Sequence, residues 1–328
     1  MNPRTLILTI FLLAAIGLVV AWRLTAARAV AGDHRDRESV IAEQPEQLTP
    51  PSAPAPSPSS TTTPPPSPPL QWAGFWTWDT AKQAELATTL QYQRTWDPYT
   101  RAWVLAAIRR KELAPIVRNN LSNGLVAQES TEPNLDQYFG AMADDPNEDP
   151  VWREYAVQFL GLTPHLGADG GAVTDRLFTI ADRQEYSVAG TALIQIHRLD
   201  EAAGTRGPLA QAGRTMRLNE QLHRLAFTTG PDVPSRMAAL GLIGARGMTT
   251  HAPALRELIA QPGDRSVAGA ADILRCAIAA LARVGDASDR QLIAPYSKDS
   301  NGAVVLAAKA ALERLARGAS SATGAIPE

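Results

Sequence analysis

Residues 232–244 read Asp232-Val-Pro-Ser-Arg236-Met-Ala-Ala-Leu240-Gly-Leu-Ile243-Gly244, and the frame they set recurs along the chain. Asp97-Pro98-Tyr-Thr-Arg101-Ala-Trp103-Val-Leu105-Ala-Ala-Ile108 matches Asp149-Pro150-Val-Trp-Arg153-Glu-Tyr155-Ala-Val157-Gln-Phe-Leu160, which follows 52 residues later. Asp before Pro is a helix start: the carboxylate accepts from free first-turn N–H groups, and Pro at the first helical position forfeits no bond. Arg four residues on is placed to pair with that Asp or with the next repeat. The apolar residues at plus eight and plus eleven share one helix face.

Carried along the chain, that apolar pair becomes Leu105/Ile108, Val157/Leu160, Leu193/Ile196, Leu240/Ile243, Leu281/Val284 and Leu312/Leu315, at intervals of 52, 36, 47, 41 and 31 residues. A second helix fits after each of the first five: 113–127, 172–181, 214–227, 252–260 and 289–296. No sustained period-two alternation follows Leu70, so strands have no support. The pattern predicts an all-α body of about six helical pairs in series.

Asp-x-x-x-Arg followed by alanine-rich Leu-x-x-Ile-Gly, with a second helix such as Ala252-Pro-Ala-Leu255-Arg-Glu-Leu258, resembles HEAT-like repeats, including those named after bilin lyases. The resemblance covers Asp79 to Ala316 and is best from Asp232 onward. It implies a right-handed α-solenoid that binds protein partners on its second helices. The same resemblance also allows an enzyme, either attaching bilin to an acceptor cysteine or removing alkylated bases from DNA. Two departures stand out. The third unit has Glu185 with no Arg at 189, and the first interval holds an extra helix or loop near Pro133 to Met142.

The first 70 residues differ in kind. Thr5 to Trp22 carry no charge over 18 residues, the length of a membrane-spanning helix. Ala29-Val30-Ala31 before Gly32 also fits a signal-peptide cleavage site, but the apolar run is long for one, and Arg23 and Arg28 intervene. An uncleaved signal-anchor over 1–31 is therefore expected. Arg23, Arg28, Arg35 and Arg37 after the helix argue by the positive-inside rule for a cytoplasmic body. The Arg4 n-region and the secretory character of the segment favour export, giving a single-pass inner-membrane protein with an extracytoplasmic, periplasmic C-terminal domain. Pro45 to Pro69 hold 11 of the chain's 25 prolines and 9 Ser or Thr, so 32–70 is expected as a disordered, extended linker. The solenoid takes 71–318 and a disordered tail 319–328.

Of 328 residues, 31 are basic and 33 acidic, and the body after the linker keeps a net charge of −2. That balance speaks against nucleic acid, whose backbone contacts need concentrated basic charge. Cys276 is the only cysteine, which excludes an intramolecular disulfide framework. The histidines at 34, 165, 197, 223 and 251 form no metal or hydrolase motif, and there is no glycine loop followed by Lys. His197 has a capping place near a helix end. The run Asp144, Asp145, Asn147, Glu148, Asp149 fails as a calcium loop, with Pro150 at its sixth position and Ala156 at its twelfth, and is expected as a solvated loop. Asn120-Leu-Ser122 is a chance sequon inside a helix. Neither a cofactor, a metal nor a catalytic group is expected.

Two surface features are candidates for partner binding. Arg214, Arg217 and Arg224, with Gln221 between them and Arg206 nearby, share one face of a predicted second helix. Trp72, Phe75, Trp76 and Trp78 gather where linker meets body, either capping the first repeat or offering Trp72 and Trp76 to a partner. The expectation is a non-catalytic, membrane-tethered HEAT-repeat scaffold in a cell-envelope assembly, with protein partners and no nucleic acid.

Overall fold

In a computed structural model, residues 69, 72–128, 134–183, 187–228, 230, 232–261, 263 and 266–323 are described. The chain divides into two units, Met1–Thr62 and Thr63–Glu328, and every described residue belongs to the second. The described residues are all-helical, with no strand. The helices are α1 (Thr80–Gln91), α2 (Pro98–Ala107), α3 (Pro115–Val126), α4 (Leu135–Asp144), α5 (Pro150–Leu162), α6 (Gly170–Asp182) and α7 (Val188–Ala203). They continue as α8 (Ala212–Phe227), α9 (Val233–Ala245), α10 (Ala252–Ala260), α11 (Ala270–Val284), α12 (Arg290–Ile293) and α13 (Gly302–Thr323).

The helix starts follow the local chemistry read from the sequence. Asp97 accepts from the N–H groups of Tyr99 and Thr100, Asp149 from Val151 and Trp152, and Asp232 from Ser235. The Arg at plus four also reaches back to the preceding helix. Arg236 Nε donates to the carbonyl of Ala226 (3.3 Å) and Arg153 Nε to that of Ala143 (3.1 Å), so each ties its helix to the last turn of the preceding one. Those terminal carbonyls have no intrahelical partner and take a cation well.

Packing alternates. Helices α1, α3, α5, α7, α9, α11 and α13 each pack against the next of that set, while α4 packs on α5, α6 on α7, α8 on α9, α10 on α11 and α12 on α13. Ten of the twelve repeat positions are buried; Leu105 and Leu312 are half-exposed. Leu105 differs because α2 turns Trp103 and Val104 inward, and Trp103 is held there by the aromatic cluster before α1. The first repeat thus joins the alternating set through α3 rather than through the helix that carries its motif. The extra helix expected near 133–142 is α4.

Gly190 and Gly244 sit where these helices meet most closely. A Cβ on Gly190 would lie 2.9 Å from Ser235 Cα of α9, and one on Gly244 3.0 Å from Ala280 Cα of α11. Absence of a side chain at these two points lets the backbones approach.

The membrane placement is corrected. Among the described residues no helix is long and apolar enough to cross a membrane, against the transmembrane, signal-anchor and inner-membrane expectations. The segment on which they rested, Thr5 to Trp22, lies outside the described residues, as do the expected linker up to Pro68 and the reporter of the third repeat, Glu185. At the other end α13 continues to Thr323, beyond the expected boundary at 318.

Candidate functional site

Helix α8 carries both the arginine row and the most polar sequence among the helices. Its Leu218, Leu222, Leu225 and Ala226 are buried, while Arg214, Arg217, Gln221 and Arg224, spaced one turn apart, face α6. Arg214 grips Asp175 with two bonds, Nε to Oδ1 at 2.9 Å and Nη2 to Oδ2 at 2.8 Å, and also reaches the carbonyls of Pro208 and Gly171. The Arg214 hydrogen bond holds the Asp175 carboxyl below the usual carboxylate range, and Asp175 raises Arg214 in turn. Arg217 binds Asp182 at 2.7 Å and covers the Phe178 ring, 4.9 Å from its centroid. Arg224 donates to the Ala181 carbonyl at 3.1 Å.

The three arginines therefore tie α8 to α6, and the structure gives them internal partners that the sequence reading did not supply. The same device joins α6 to α4, where Asp144 receives Arg176 at 2.7 Å and Arg183 at 2.8 Å. Farther along, Arg256 of α10 meets Asp286 and Asp289 before α12. Arg217 keeps 39 % of its side chain exposed beside Met216, which is 61 % exposed, and Glu220. Together with Gly213 and Asp182 they line a shallow cleft of about 430 Å³. A second cleft of about 460 Å³ lies between the start of α6 and the end of α7, with His165, Arg206 and Arg214 at its polar edge and Leu199, Ala202 and Pro208 at its apolar one.

The aromatic group is mostly internal. Phe75 is fully buried and Trp72 nearly so, with ring centroids 5.0 Å and 5.2 Å from Trp103. Trp76 is half-buried 5.8 Å from Trp103, under the Arg110 guanidinium. These rings cover the first helices, and of the two tryptophans singled out only Trp76 keeps an open edge.

The acidic run is not a solvated loop. Asp144 holds Arg176 and Arg183, Asp145 holds Lys111, Asp149 caps α5, and Glu148 is buried against Arg118. Asn120 Nδ2 donates to Thr88 Oγ1 at 3.0 Å, which commits the sequon side chain to α1. His197 lies within α7, where Arg246, just past the end of α9, contacts its Nδ1 at 3.2 Å and burial pushes the imidazole down. Sequence reading missed the contact of His223 with Phe227 and His251, whose only trace is a pair of histidines 28 residues apart.

Neither a family model, nor a curated protein, nor a solved structure matches this chain.

Proposed function

We propose that the body is a HEAT-like α-solenoid of about six helical pairs that binds protein partners and catalyses nothing itself. What supports this reading most is the alternating packing, in which every second helix from α1 to α13 lies against the next while the intervening helices are tied by arginine–carboxylate pairs. Such construction holds many side chains at fixed spacing on one face, which suits recognition of an extended partner surface. The strip on α8 formed by Arg217, Met216 and Glu220 is the proposed contact region, because it combines an exposed apolar side chain with charges held in place by a neighbouring helix.

Cross-linking and affinity capture of the tagged full chain from its native cells tests the proposal. A protein recovered in fixed stoichiometry, and lost on Met216→Asp with Glu220→Arg at unchanged melting temperature, supports it. Recovery that is unaffected by the double substitution removes the α8 strip from the reading; failure to recover any saturable partner overturns the scaffold role.

A further inference from the structure

Helix α8 is fastened by its buried leucines and also by groups that titrate. Toward α6 it relies on Asp175 and Asp182. On its other side a small aromatic stack reaches the turn leading into α10. The His223 ring lies 5.7 Å from that of His251, within 25° of parallel, and Phe227 lies 5.1 Å from His223 and 6.2 Å from His251. His251 is 6 % exposed, and its buried Nε2 has no hydrogen-bond partner, whereas His223 is open to solvent. Among the described residues α8 also holds three other buried polar atoms without partners, Asn219 Oδ1, Gln221 Oε1 and Arg224 Nη1. Each such atom is desolvated without a replacement bond, which lowers the cost of opening this helix.

We infer that His223 and His251 form a pH-sensitive clasp between α8 and the turn that begins α10, closed while the buried His251 imidazole is neutral and opened when it binds a proton. Neutral rings stack and need no counter-charge. A proton on Nε2 of His251 would place an imidazolium in a buried site with no acceptor, facing the solvent-exposed His223 ring. Among the described residues no carboxylate pairs with His251. Arg246 at the end of α9 is directed to Asp200 and His197, Arg256 of α10 to Asp286 and Asp289, and Arg224 of α8 to the Ala181 carbonyl and Asp182. Burial first, and then the charge of His223, push His251 below its ordinary value near 6.5. A histidine lowered in the folded state stabilises the closed form above the ordinary value, and that stability is lost as pH falls through it. This clasp stands independently of the partner-binding reading.

Amide hydrogen exchange of the full chain at pH 7.5 and 5.5, corrected for intrinsic rates, tests the clasp. Protection should fall at pH 5.5 in the segments 218–228 and 246–256, while α3 and α5 keep theirs. Opening should rise by about tenfold for each pH unit separating the ordinary from the depressed value. The double variant His223→Phe with His251→Phe keeps a ring stack that cannot take up protons, and should lose this local pH dependence. Equal protection at both pH values, or a loss that persists in the double variant, overturns the clasp. Should the double variant fold poorly, NMR titration of the histidine ring protons in the unmodified chain decides: His251 titrating at or above 6.5 overturns it, and titration below supports it.

Discussion

The Arg118 guanidinium, fully buried, donates through both Nη atoms to the Glu148 carboxylate at 2.8 Å, donates through Nε to the Ile108 carbonyl at 2.7 Å, and lies 4.2 Å from the centroid of the Trp152 ring. This pair ties α3 to the loop between α4 and α5 across 30 residues. Its strength lies in completeness: two parallel charge-assisted bonds, a third to backbone, and an aromatic face over the cation.

Removing one partner leaves a buried charge alone. Glu148→Ala is expected to destabilise the chain by about 3–5 kcal/mol, read from urea unfolding, whereas Arg118→Met combined with Glu148→Leu should cost much less. A single substitution within 1 kcal/mol of the unmodified chain would show that Arg118 finds water.

The repeat positions should behave as core. Leu240 is fully buried, so Leu240→Ala should cost about 2–5 kcal/mol and Leu240→Asp should abolish cooperative melting, because an unpaired carboxylate would sit among apolar side chains. Near-normal melting of the Asp variant would mean that α9 does not pack as described.

Close helix approach gives a third expectation. A Val side chain at Gly244 would meet Ala280 of α11, whose Cα lies 3.0 Å from the position of the new Cβ. Backbone cannot move aside as a flexible side chain can, so Gly244→Val should cost about 1–3 kcal/mol by thermal unfolding. The exposed Gly241, on the same helix with open space around it, is the control and should tolerate Ala.

What the sequence disclosed and what it hid divide by the range of the interaction. The caps Asp97, Asp149 and Asp232 act within three residues, and the members of each pair, Leu193/Ile196 and Leu240/Ile243, lie one turn apart on a single helix, so both were legible. Glu148 could not be read as a core residue, since its partner Arg118 is 30 positions away and an acidic run next to Pro looks like a loop. The arginine row was located correctly as a shared face, but Asp175 and Asp182 lie 39 and 35 residues from Arg214 and Arg217, and nothing local announces them. The inward turn of Trp103 depends on Trp72 and Phe75 from outside the repeat, which is why the frame misplaced Leu105.

The arginine–carboxylate row makes a last prediction, about salt and acid together. Arg214, Arg217 and Arg224, which the sequence offers as a partner-binding face, each have an internal acceptor. The triple substitution to Ala should therefore lower the melting temperature, modestly, since exposed ion pairs contribute about 0–1 kcal/mol each. The loss should shrink as salt rises from 0.05 to 0.5 M, because the pairs in the unmodified chain are screened. Asp175 adds a pH signature. Its folded value is lowered, chiefly by the Arg214 bond, so its contribution is present above the ordinary carboxylate range, begins to be lost as pH falls below about 4, and is gone only below the lowered folded value. The unmodified chain and the triple variant should accordingly differ in melting temperature at pH 7 and low salt, and the difference should narrow progressively as pH falls below about 4. A difference that does not narrow at all under acid would assign the arginines' contribution to their hydrogen bonds with the Gly171, Pro208 and Ala181 carbonyls instead of to the aspartates.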